Sequence, residues 1–385
     1  MDEETRLIRA GAKIGALART VNPPVQRGST VLMPDAASLY DDGQKTYGLE
    51  GFASHDALAE GLCALEGARD VQLYPSGLAA ITAPLVALLK TGDDVLIVDS
   101  VYKPTRRFAG DVLARFGVSV RYYDPALDAD SLMALVEPAT RLILLEAPGS
   151  LTFEMQDVPA IAAAAKARGV LTMIDNTWAA GLLFKPLAHG VDISVQALTK
   201  YVGGHSDLLM GSAATVDPEL GRLLKAGFTN AGWGISPDDA YLAVRGLRTL
   251  KTRLDRHGAS GLAVARWMER QPEVVRVMHP GLESDPGHAL WKRDFSGACG
   301  LFGAVLRPAS NKAVLSFLDA LELFGLGFSW GGYESLAIHC DPQVRSSRPG
   351  LDLGGPLIRL HVGLEGPDDL IADLRRALDV YAEHF

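Results

Sequence analysis

Short apolar runs alternate with amphipathic segments between about residue 68 and residue 175. Near-continuous apolar runs of this length indicate strands buried on both faces, and the segments between them indicate helices. The alternation therefore predicts an α/β fold in which helices cover a mostly parallel sheet. The predicted strands span residues 94–99, 118–123, 140–146 and 170–175, and the predicted helices span residues 104–116, 128–136 and 158–168.

The pattern changes after about residue 230. A long helix is predicted from Pro237 towards His257, continuing past Gly258 to Arg270, followed by a strand at 301–306 and helices at 312–323 and 368–381. A chain of 385 residues is too long for one simple core. We expect an N-terminal arm (1–50) that packs on a neighbouring subunit, a large domain (51–235) and a smaller C-terminal α/β domain (236–385).

Composition narrows the range of partners. The formal charge of −9 argues against nucleic acid and anionic membranes, because both attract clustered Lys and Arg. Three distant cysteines show neither metal-ligand spacing nor a disulfide framework, and Cys340 beside His339 is weak support for a nucleophile. An acidic N-terminus without an apolar stretch predicts no signal peptide, and we expect a cytoplasmic protein that binds no metal.

Lys200 and Asp175 are the most informative pair of residues. Lys200 follows an apolar run and precedes a Gly pair, and Asp175 ends a predicted strand. A lysine that forms a Schiff base and an acid that pairs with a pyridinium nitrogen are what pyridoxal phosphate (PLP) requires from a protein. Taken singly, Lys200 could be a solvated surface lysine and Asp175 a turn former.

Other residues fit the phosphate and the ring of such a cofactor. Ser76, Gly77 and Leu78 open an apolar helix, where free N–H groups favour an anion, although a plain Ser N-cap explains the same pattern. Thr199 offers a further hydroxyl to the phosphate. Tyr102 follows a predicted strand and could stack on a pyridine ring, or simply pack there.

Arg359 lies among apolar residues on a predicted strand, in the run Leu357-Ile-Arg-Leu-His. A buried guanidinium is costly unless it meets an anion, and its planar fork suits an amino-acid carboxylate. A structural salt bridge is the competing interpretation.

Together these segments make the chain similar to the Cys/Met-metabolism family of PLP enzymes, in the aspartate aminotransferase-like fold-type I class, nearly from end to end. The segments that carry the resemblance are 21–30, 74–78, 99–102, 174–178, 199–207, 329–335 and 357–363. The resemblance implies that Lys200 is the Schiff-base lysine, Asp175 the pyridinium partner, and Tyr102 the ring-stacking residue that aids proton transfer. It further implies phosphate contacts from Gly77, Leu78, Thr199 and the Tyr47 of a neighbouring subunit, and a substrate-carboxylate site at Arg359, Ser329 and Trp330.

The chain departs from the family pattern at two positions. Much of the family has Arg two residues after the equivalent of Tyr47, where this chain has Leu49. The Ser often found three residues before the lysine is Ala197 here. We therefore expect phosphate binding either to be weaker or to depend on Ser76, Thr199 and backbone amides.

The resemblance also implies an activity. The run Ser329-Trp-Gly-Gly-Tyr-Glu-Ser335 is most similar to the branch of the family that performs β-elimination on L-cystathionine, in a homotetramer with shared active sites. The alternatives left open are γ-elimination, γ-replacement, β-elimination from other cysteine S-conjugates, and a non-catalytic relative. A Rossmann-type nucleotide enzyme fits the alternation, but no G-x-G-x-x-G follows an early strand.

Overall fold

The computed structural model describes residues 2–17, 19–41 and 43–385. Its α-helices are α1 (Glu3–Ile8), α2 (Ala12–Leu17), α3 (Ala53–Glu66), α4 (Gly77–Leu88), α5 (Lys103–Phe108), α6 (Ala129–Met133), α7 (Val158–Ala167), α8 (Pro218–Asn230), α9 (Pro237–Arg248), α10 (Leu250–Met268), α11 (His288–Asp294), α12 (Asn311–Asp319), α13 (Asp341–Ser347) and α14 (Pro367–Ala382). Its strands are β1 (Asp70–Tyr74), β2 (Asp94–Val98), β3 (Ser119–Tyr123), β4 (Thr140–Glu146), β5 (Leu171–Asp175), β6 (Ile193–Ala197), β7 (Gly211–Thr215), β8 (Val274–Met278), β9 (Leu301–Leu306), β10 (Gly325–Leu326), β11 (Leu336–His339) and β12 (Leu357–His361).

The larger sheet has seven strands in the order β1-β7-β6-β5-β4-β2-β3. The pairs β2–β3, β2–β4, β4–β5 and β5–β6 are parallel, whereas β7 runs antiparallel to β1 and β6. Every residue of β2 is buried, as its continuous apolar run predicts. The predicted mostly parallel sheet is confirmed, and its carboxyl edge is where ligands gather in such folds.

The smaller sheet has five strands in the order β10-β11-β12-β9-β8. Its central strand β12 is antiparallel to both β11 and β9. Phe302 of β9, Phe317 of α12 and Tyr381 of α14 are fully buried in a shared apolar cluster beside this sheet. These elements form the smaller C-terminal α/β unit that the sequence predicts, while the boundaries at residues 50 and 235 stay predictions.

The predicted long helix after Pro237 is wrong in one respect, because it is broken at Thr249. Residues of both helices, α9 and α10, pack against the segment that follows Lys200. Gly246 of α9 packs so closely that an added Cβ would lie 2.2 Å from the Val202 carbonyl oxygen. Arg253 of α10 donates hydrogen bonds to the carbonyls of Tyr201 (2.6 Å) and Gly246 (2.7 Å).

The helix predicted at 104–116 is continuous in path but changes form. Beyond α5, a π-helical turn (Ala109–Leu113) and a 3-10 turn (Ala114–Phe116) complete it. It ends at Gly117, whose φ of 75° is left-handed, as predicted for its stop signal.

The N-terminal segment partly packs on its own chain. Leu7 of α1 and Ala10 are buried in the core, and Arg248 donates to the Ala10 carbonyl over 3.1 Å. Further along, Leu32 and Tyr40 are almost fully exposed. Packing of residues 1–50 on a neighbouring subunit stays a prediction, and Met1, Ala18 and Asp42 lie outside the described residues. In the described part of the chain, no helix combines the length and apolarity that crossing a membrane requires.

Candidate active site

A cavity of about 440 Å³ opens at the carboxyl edge of the larger sheet. Strand ends and loops of the larger sheet form one wall of this cavity. Residues near β9, β12 and α13 form the opposite wall. Of the residues predicted for the site, the structure places the following in its lining: Ser76, Gly77, Leu78, Tyr102, Asp175, Thr199, Lys200, Trp330 and Arg359. Residues far apart in the sequence thus meet where the sheet topology predicts.

Lys200 lies three residues beyond β6 and points towards the smaller sheet. Its Nζ donates a hydrogen bond to Ser329 Oγ over 2.9 Å and lies 5.3 Å from the centre of the Trp330 ring. Desolvation, helped by the positive charge of Arg359, lowers the Lys200 pKa to about 8. A substantial fraction of the amine is therefore neutral near physiological pH and available as a nucleophile or base.

Asp175 ends β5 at the floor of the cavity. Its Oδ1 accepts hydrogen bonds from the Thr177 backbone N–H (3.0 Å) and from the Thr177 hydroxyl. Burial raises the Asp175 pKa, and the Thr177 bonds and Lys200 oppose that rise. Thr177 Oγ1 also accepts from the Ala197 N–H over 2.9 Å, so one threonine fixes Asp175 against the strand that leads to Lys200.

The N-terminus of α4 forms a cradle suited to an anion. Ser76 is the N-cap, and its Oγ accepts from the Ala79 N–H over 3.0 Å, which confirms the plain capping interpretation. The cap occupies the Ala79 N–H, whereas Gly77 and Leu78, whose N–H groups lie in the first helical turn, line the cavity, so capping and anion binding are compatible. Gly77 lies so close to β6 that an added Cβ would be 2.4 Å from the Ala197 Cβ.

Thr199 and Tyr47 fit the phosphate role less directly. The Thr199 hydroxyl donates to the Met210 carbonyl over 3.1 Å, so it would have to turn to reach a phosphate. Tyr47 is 57% exposed and does not line the cavity of its own chain among the described residues. Leu49, at the position of the missing arginine, likewise lies outside the lining.

Tyr102 stands between β2 and α5 at the side of the cavity. Its backbone N–H donates to Glu146 Oε2 over 2.7 Å. Burial raises the Tyr102 pKa, helped by the charges of Asp175 and Glu146 and opposed by Arg359 and Arg107. The phenol is therefore protonated at neutral pH and can donate a proton.

Glu146 ends β4 and lines the cavity, although it is not among the site residues predicted from the sequence. Burial and the nearby Asp175 charge raise the Glu146 pKa well above its usual range. An acidic residue at the end of an apolar run is the sequence signal for this position, and the pairing of Glu146 with Asp175 across neighbouring strands is visible only in the structure.

Arg359 projects from β12 and is 8% exposed. Its Nη2 donates to the carbonyl oxygens of Phe328 (2.8 Å) and Ser329 (3.0 Å). Among the described residues Arg359 forms no salt bridge, so the competing interpretation of a structural ion pair is not supported, and desolvation lowers the Arg359 pKa. A guanidinium held by neutral carbonyls keeps its charge available for a carboxylate ligand.

The loop whose carbonyls bind Arg359 is fixed by contacts of Gly331, the residue two positions after Ser329. The Gly331 N–H donates to His361 Nε2 over 3.0 Å, and Gly331 has a φ of 85°. An added Cβ at Gly331 would lie 2.8 Å from the backbone nitrogen of Tyr201, so only glycine allows this approach. Trp330 packs edge-on against Tyr201, with ring centres 5.6 Å apart.

The cavity fits PLP by the chemistry of its groups. The lysine amine, whose pKa is lowered, suits the aldehyde of PLP, and the buried acid suits its ring nitrogen. The open N-terminus of α4 suits its phosphate. Fold and site together are those of a PLP-dependent enzyme of fold-type I.

The chain belongs to the Cys/Met metabolism PLP-dependent enzyme family, whose profile matches residues 4–379, and PLP is its cofactor. It is 49% identical to a putative cystathionine β-lyase of Rhizobium johnstonii over 92% of this chain and 90% of the relative. It is 41% identical to a cystathionine β-lyase of Escherichia coli over 96% of both chains. It is 40% identical to an L-alanine/L-glutamate racemase of Wolbachia pipientis wMel over 98% of this chain and 97% of the relative.

Solved structures agree with the fold. The crystal structure of cystathionine γ-synthase from Xanthomonas oryzae pv. oryzae in complex with cystathionine covers 100% of both chains with a TM-score of 0.93 and 31% identity.

Proposed function

We propose that this protein cleaves L-cystathionine by β-elimination, giving homocysteine, pyruvate and ammonia. The observation that carries the proposal is the meeting of Lys200, Asp175 and Arg359 in one cavity, with Ser329 bonded to the lysine. The cystathionine β-lyases among the relatives support the choice of reaction. As a PLP-dependent lyase, the enzyme would break a carbon–sulfur bond.

PLP would be held by Lys200 at its aldehyde, Asp175 at its ring nitrogen, and Ser76, Gly77, Leu78 and Thr199 at its phosphate. When bound, it supplies the electron sink that makes the substrate Cα proton acidic. Asp175, whose carboxylate is fixed by Thr177, would keep the ring nitrogen protonated. Tyr102 would stack on the ring.

The chain's own residues would then carry the reaction. Arg359, with Ser329 and Trp330 beside it, would bind the substrate α-carboxylate and fix the orientation of Cα. The Lys200 amine would take the Cα proton as general base. The Cβ–S bond breaks as a Cα–Cβ double bond forms, and Lys200 or Tyr102 returns a proton to the leaving sulfur. The released enamine hydrolyses to pyruvate and ammonia.

Product analysis tests the proposal. Purified holoenzyme is incubated with L-cystathionine, and pyruvate and homocysteine are identified by liquid chromatography with mass detection, which separates them from 2-oxobutyrate and cysteine. Stoichiometric formation of both is expected, with L-cystine and L-homocysteine as comparator substrates. Formation of 2-oxobutyrate instead would contradict the proposal and favour γ-elimination.

Racemisation is a second candidate, favoured by the racemase relative and by the same Lys200 base, because both reactions begin with loss of the Cα proton. Loss of optical activity from L-alanine or L-glutamate, measured by circular dichroism, would identify it. We expect this rate to be much lower than pyruvate formation from L-cystathionine.

We also propose a cytoplasmic homotetramer, a dimer of dimers, in which the Tyr47 of one subunit contacts the phosphate bound by its neighbour. Leu209 and Phe328 line the cavity yet are 67% and 75% exposed, which supports a partner surface at its mouth. Sedimentation gives the oligomeric state. Mixing Tyr47→Ala with Lys200→Ala subunits after reversible dissociation should restore activity if sites are shared, and no gain would contradict sharing.

A further inference from the structure

A loop without regular secondary structure carries Ser329 to the lysine. It spans residues 327–335, between β10 and β11, and is called the Ser329 loop below. Its backbone is not held by a helix or a strand, so contacts from other elements must fix its position. That position matters for two groups of the site. The loop carbonyls of Phe328 and Ser329 orient Arg359, and the Ser329 hydroxyl accepts a hydrogen bond from Lys200.

Strand β12 holds the Ser329 loop with two side chains from the same face. Arg359 and His361 are two residues apart on the strand, so their side chains point to the same side. Arg359 bonds the start of the loop, whereas His361 bonds its middle. The His361 Nε2 lies 3.0 Å from the Gly331 nitrogen and 3.1 Å from the Gly332 carbonyl oxygen. One tautomer of a neutral imidazole accepts from the first group, and the other donates to the second.

The His361 imidazole stays neutral. It is fully buried, and this burial, helped by the neighbouring His257, lowers its pKa to about 3. A protonated ring would have no lone pair for the Gly331 N–H. The neutral ring can therefore bond the loop at every pH at which an enzyme of this kind works.

The middle of the Ser329 loop also lies against the segment that contains Lys200. An added Cβ at Gly331 would lie 2.8 Å from the Tyr201 nitrogen and 3.0 Å from the Lys200 Cα, so no free space remains on that side. Gly331 is two residues from Ser329, whose Oγ lies 2.9 Å from the Lys200 Nζ. Because consecutive Cα atoms are only about 3.8 Å apart, a shift of the loop at Gly331 would also move Ser329.

His257 of α10 provides a comparison within the same cluster. Both histidines are fully buried and pack against Tyr201, and their ring centres are 5.3 Å apart. The His257 Nδ1, however, bonds the Val362 carbonyl over 2.9 Å, and among the described residues no hydrogen bond joins it to the Ser329 loop. The two histidines thus share a buried aromatic environment and differ in the backbone that they hold.

We propose that His361 is a positioning residue, which fixes the middle of the Ser329 loop and thereby the place of the Ser329 hydroxyl and of the carbonyls that orient Arg359. This inference rests on the proposed function, which assigns substrate binding to Arg359 and proton transfer to Lys200. His361 does not line the cavity, so it acts on these groups only through the loop.

Two amide substitutions separate this role from a general packing role. The side-chain amide of His361→Gln reaches about as far as the imidazole Nε2, and that of His361→Asn only as far as Nδ1. We therefore expect glutamine to keep a bond to the loop and asparagine to lose it, although both place an amide in the same buried site. His257→Asn is the matched control, because asparagine there keeps the reach of the Nδ1 that bonds Val362.

Binding of 2-aminoisobutyrate measures the effect on the carboxylate site. This ligand has the amine and carboxylate of an amino acid, but its Cα has no proton to lose, and its binding to each holoenzyme is measured from the change in cofactor absorbance. His361→Asn should raise the dissociation constant by roughly tenfold, and His361→Gln and His257→Asn should stay within about twofold of the wild type. Equal weakening by both substitutions at His361, or by the control, would overturn the proposal.

The pH midpoint of PLP uptake by the apoenzyme measures the effect on Lys200. Ser329→Ala removes the hydroxyl that accepts from the lysine, and because that bond is stronger for the charged amine, the midpoint should move to lower pH. His361→Asn should move it in the same direction, and His361→Gln should not. Arg359 and Asp175, the charged groups that act on Lys200, are unchanged in these variants. A midpoint that moves in Ser329→Ala but not in His361→Asn would contradict the role of the loop.

Hydrogen exchange at the Gly331 amide needs no variant. In the wild-type holoenzyme this amide should exchange slowly, because it is buried and bonded to His361. Fast exchange would overturn the proposal even if His361→Asn does not fold.

Activity then separates this inference from the proposed reaction. If L-cystathionine yields pyruvate but both substitutions at His361 bind 2-aminoisobutyrate alike, the inference fails and the reaction stands. If asparagine alone weakens binding and no pyruvate forms, the positioning role stands and the reaction fails.

Discussion

The two walls of the cavity are built in different ways. On the wall of the larger sheet, Asp175 ends a strand and Lys200 follows one closely, and Thr177 ties the ends of these strands together. On the opposite wall, Arg359 is on a strand but takes its orientation from carbonyls of the loop around Ser329. In the proposed reaction, the first wall would position groups for proton transfer, and the second wall would position the substrate.

Substitutions on the two walls should therefore change different kinetic parameters. Loss of a group on the larger-sheet wall should lower kcat, because that group acts on the developing charge of the transition state. Loss of a group on the Arg359 wall should chiefly raise KM, because the carboxylate is bound alike in ground and transition states.

Lys200→Ala should give the largest effect. Removing the general base and the cofactor's covalent partner should lower pyruvate formation by about 10⁴-fold or more. Lys166→Ala, an exposed lysine on α7, is the matched control and should be fully active. A Lys200→Ala rate near that of the wild type would contradict the assignment of Lys200 as the general base, and with it the assignment of proton transfer to the larger-sheet wall.

Asp175→Asn should come next. The neutral amide cannot hold a proton on the ring nitrogen, so kcat should fall by about a hundredfold or more while KM changes little. Asp175→Glu keeps the charge and should recover part of the rate. A rise in KM with unchanged kcat would contradict the division between the walls.

Arg359→Lys should raise KM for the amino-acid substrate by roughly 10- to 100-fold, because a lysine cannot form the bidentate contact to a carboxylate. The value of kcat at saturating substrate should stay within a few-fold of the wild type. A large fall in kcat at constant KM would place Arg359 with the catalytic groups instead.

Gly77→Ala should affect cofactor binding and stability together. The added Cβ would collide with Ala197, and overpacking of this kind costs about 1–3 kcal/mol. We expect a lower unfolding temperature of the apoenzyme and a larger dissociation constant for PLP. Gly110→Ala has open space around it and serves as the control in the same assays.

The pH dependence of PLP uptake by the apoenzyme should show the smallest effect. The Lys200 amine attacks the aldehyde only when neutral, and its pKa is about 8, so the uptake rate should rise with pH and level off above that value. Arg359 lowers this pKa and Asp175 raises it. Arg359→Met should therefore move the midpoint to higher pH, and Asp175→Asn should move it to lower pH. If both variants moved the midpoint in the same direction, the opposite effects of Arg359 and Asp175 on the Lys200 pKa would be contradicted.

Much of the fold follows from local pattern. The strands β2, β4, β5 and β9 occur within a residue or so of their predicted bounds, because each is a short apolar run bounded by polar residues. The break at Thr249 was not predictable, because helical periodicity continues through it. It follows instead from packing of Gly246 and Arg253 against the segment after Lys200.

The sequence by itself determined which chemical groups the protein possesses and where along the strands they lie. Lys200, Asp175, Ser76–Gly77 and Arg359 each stand at a strand end, a helix start or within an apolar strand, and these are local properties. Only the tertiary structure decided which groups meet. The Ser329 bond to Lys200, the Thr177 link and the carboxyl of Glu146 beside Tyr102 join residues from separate elements.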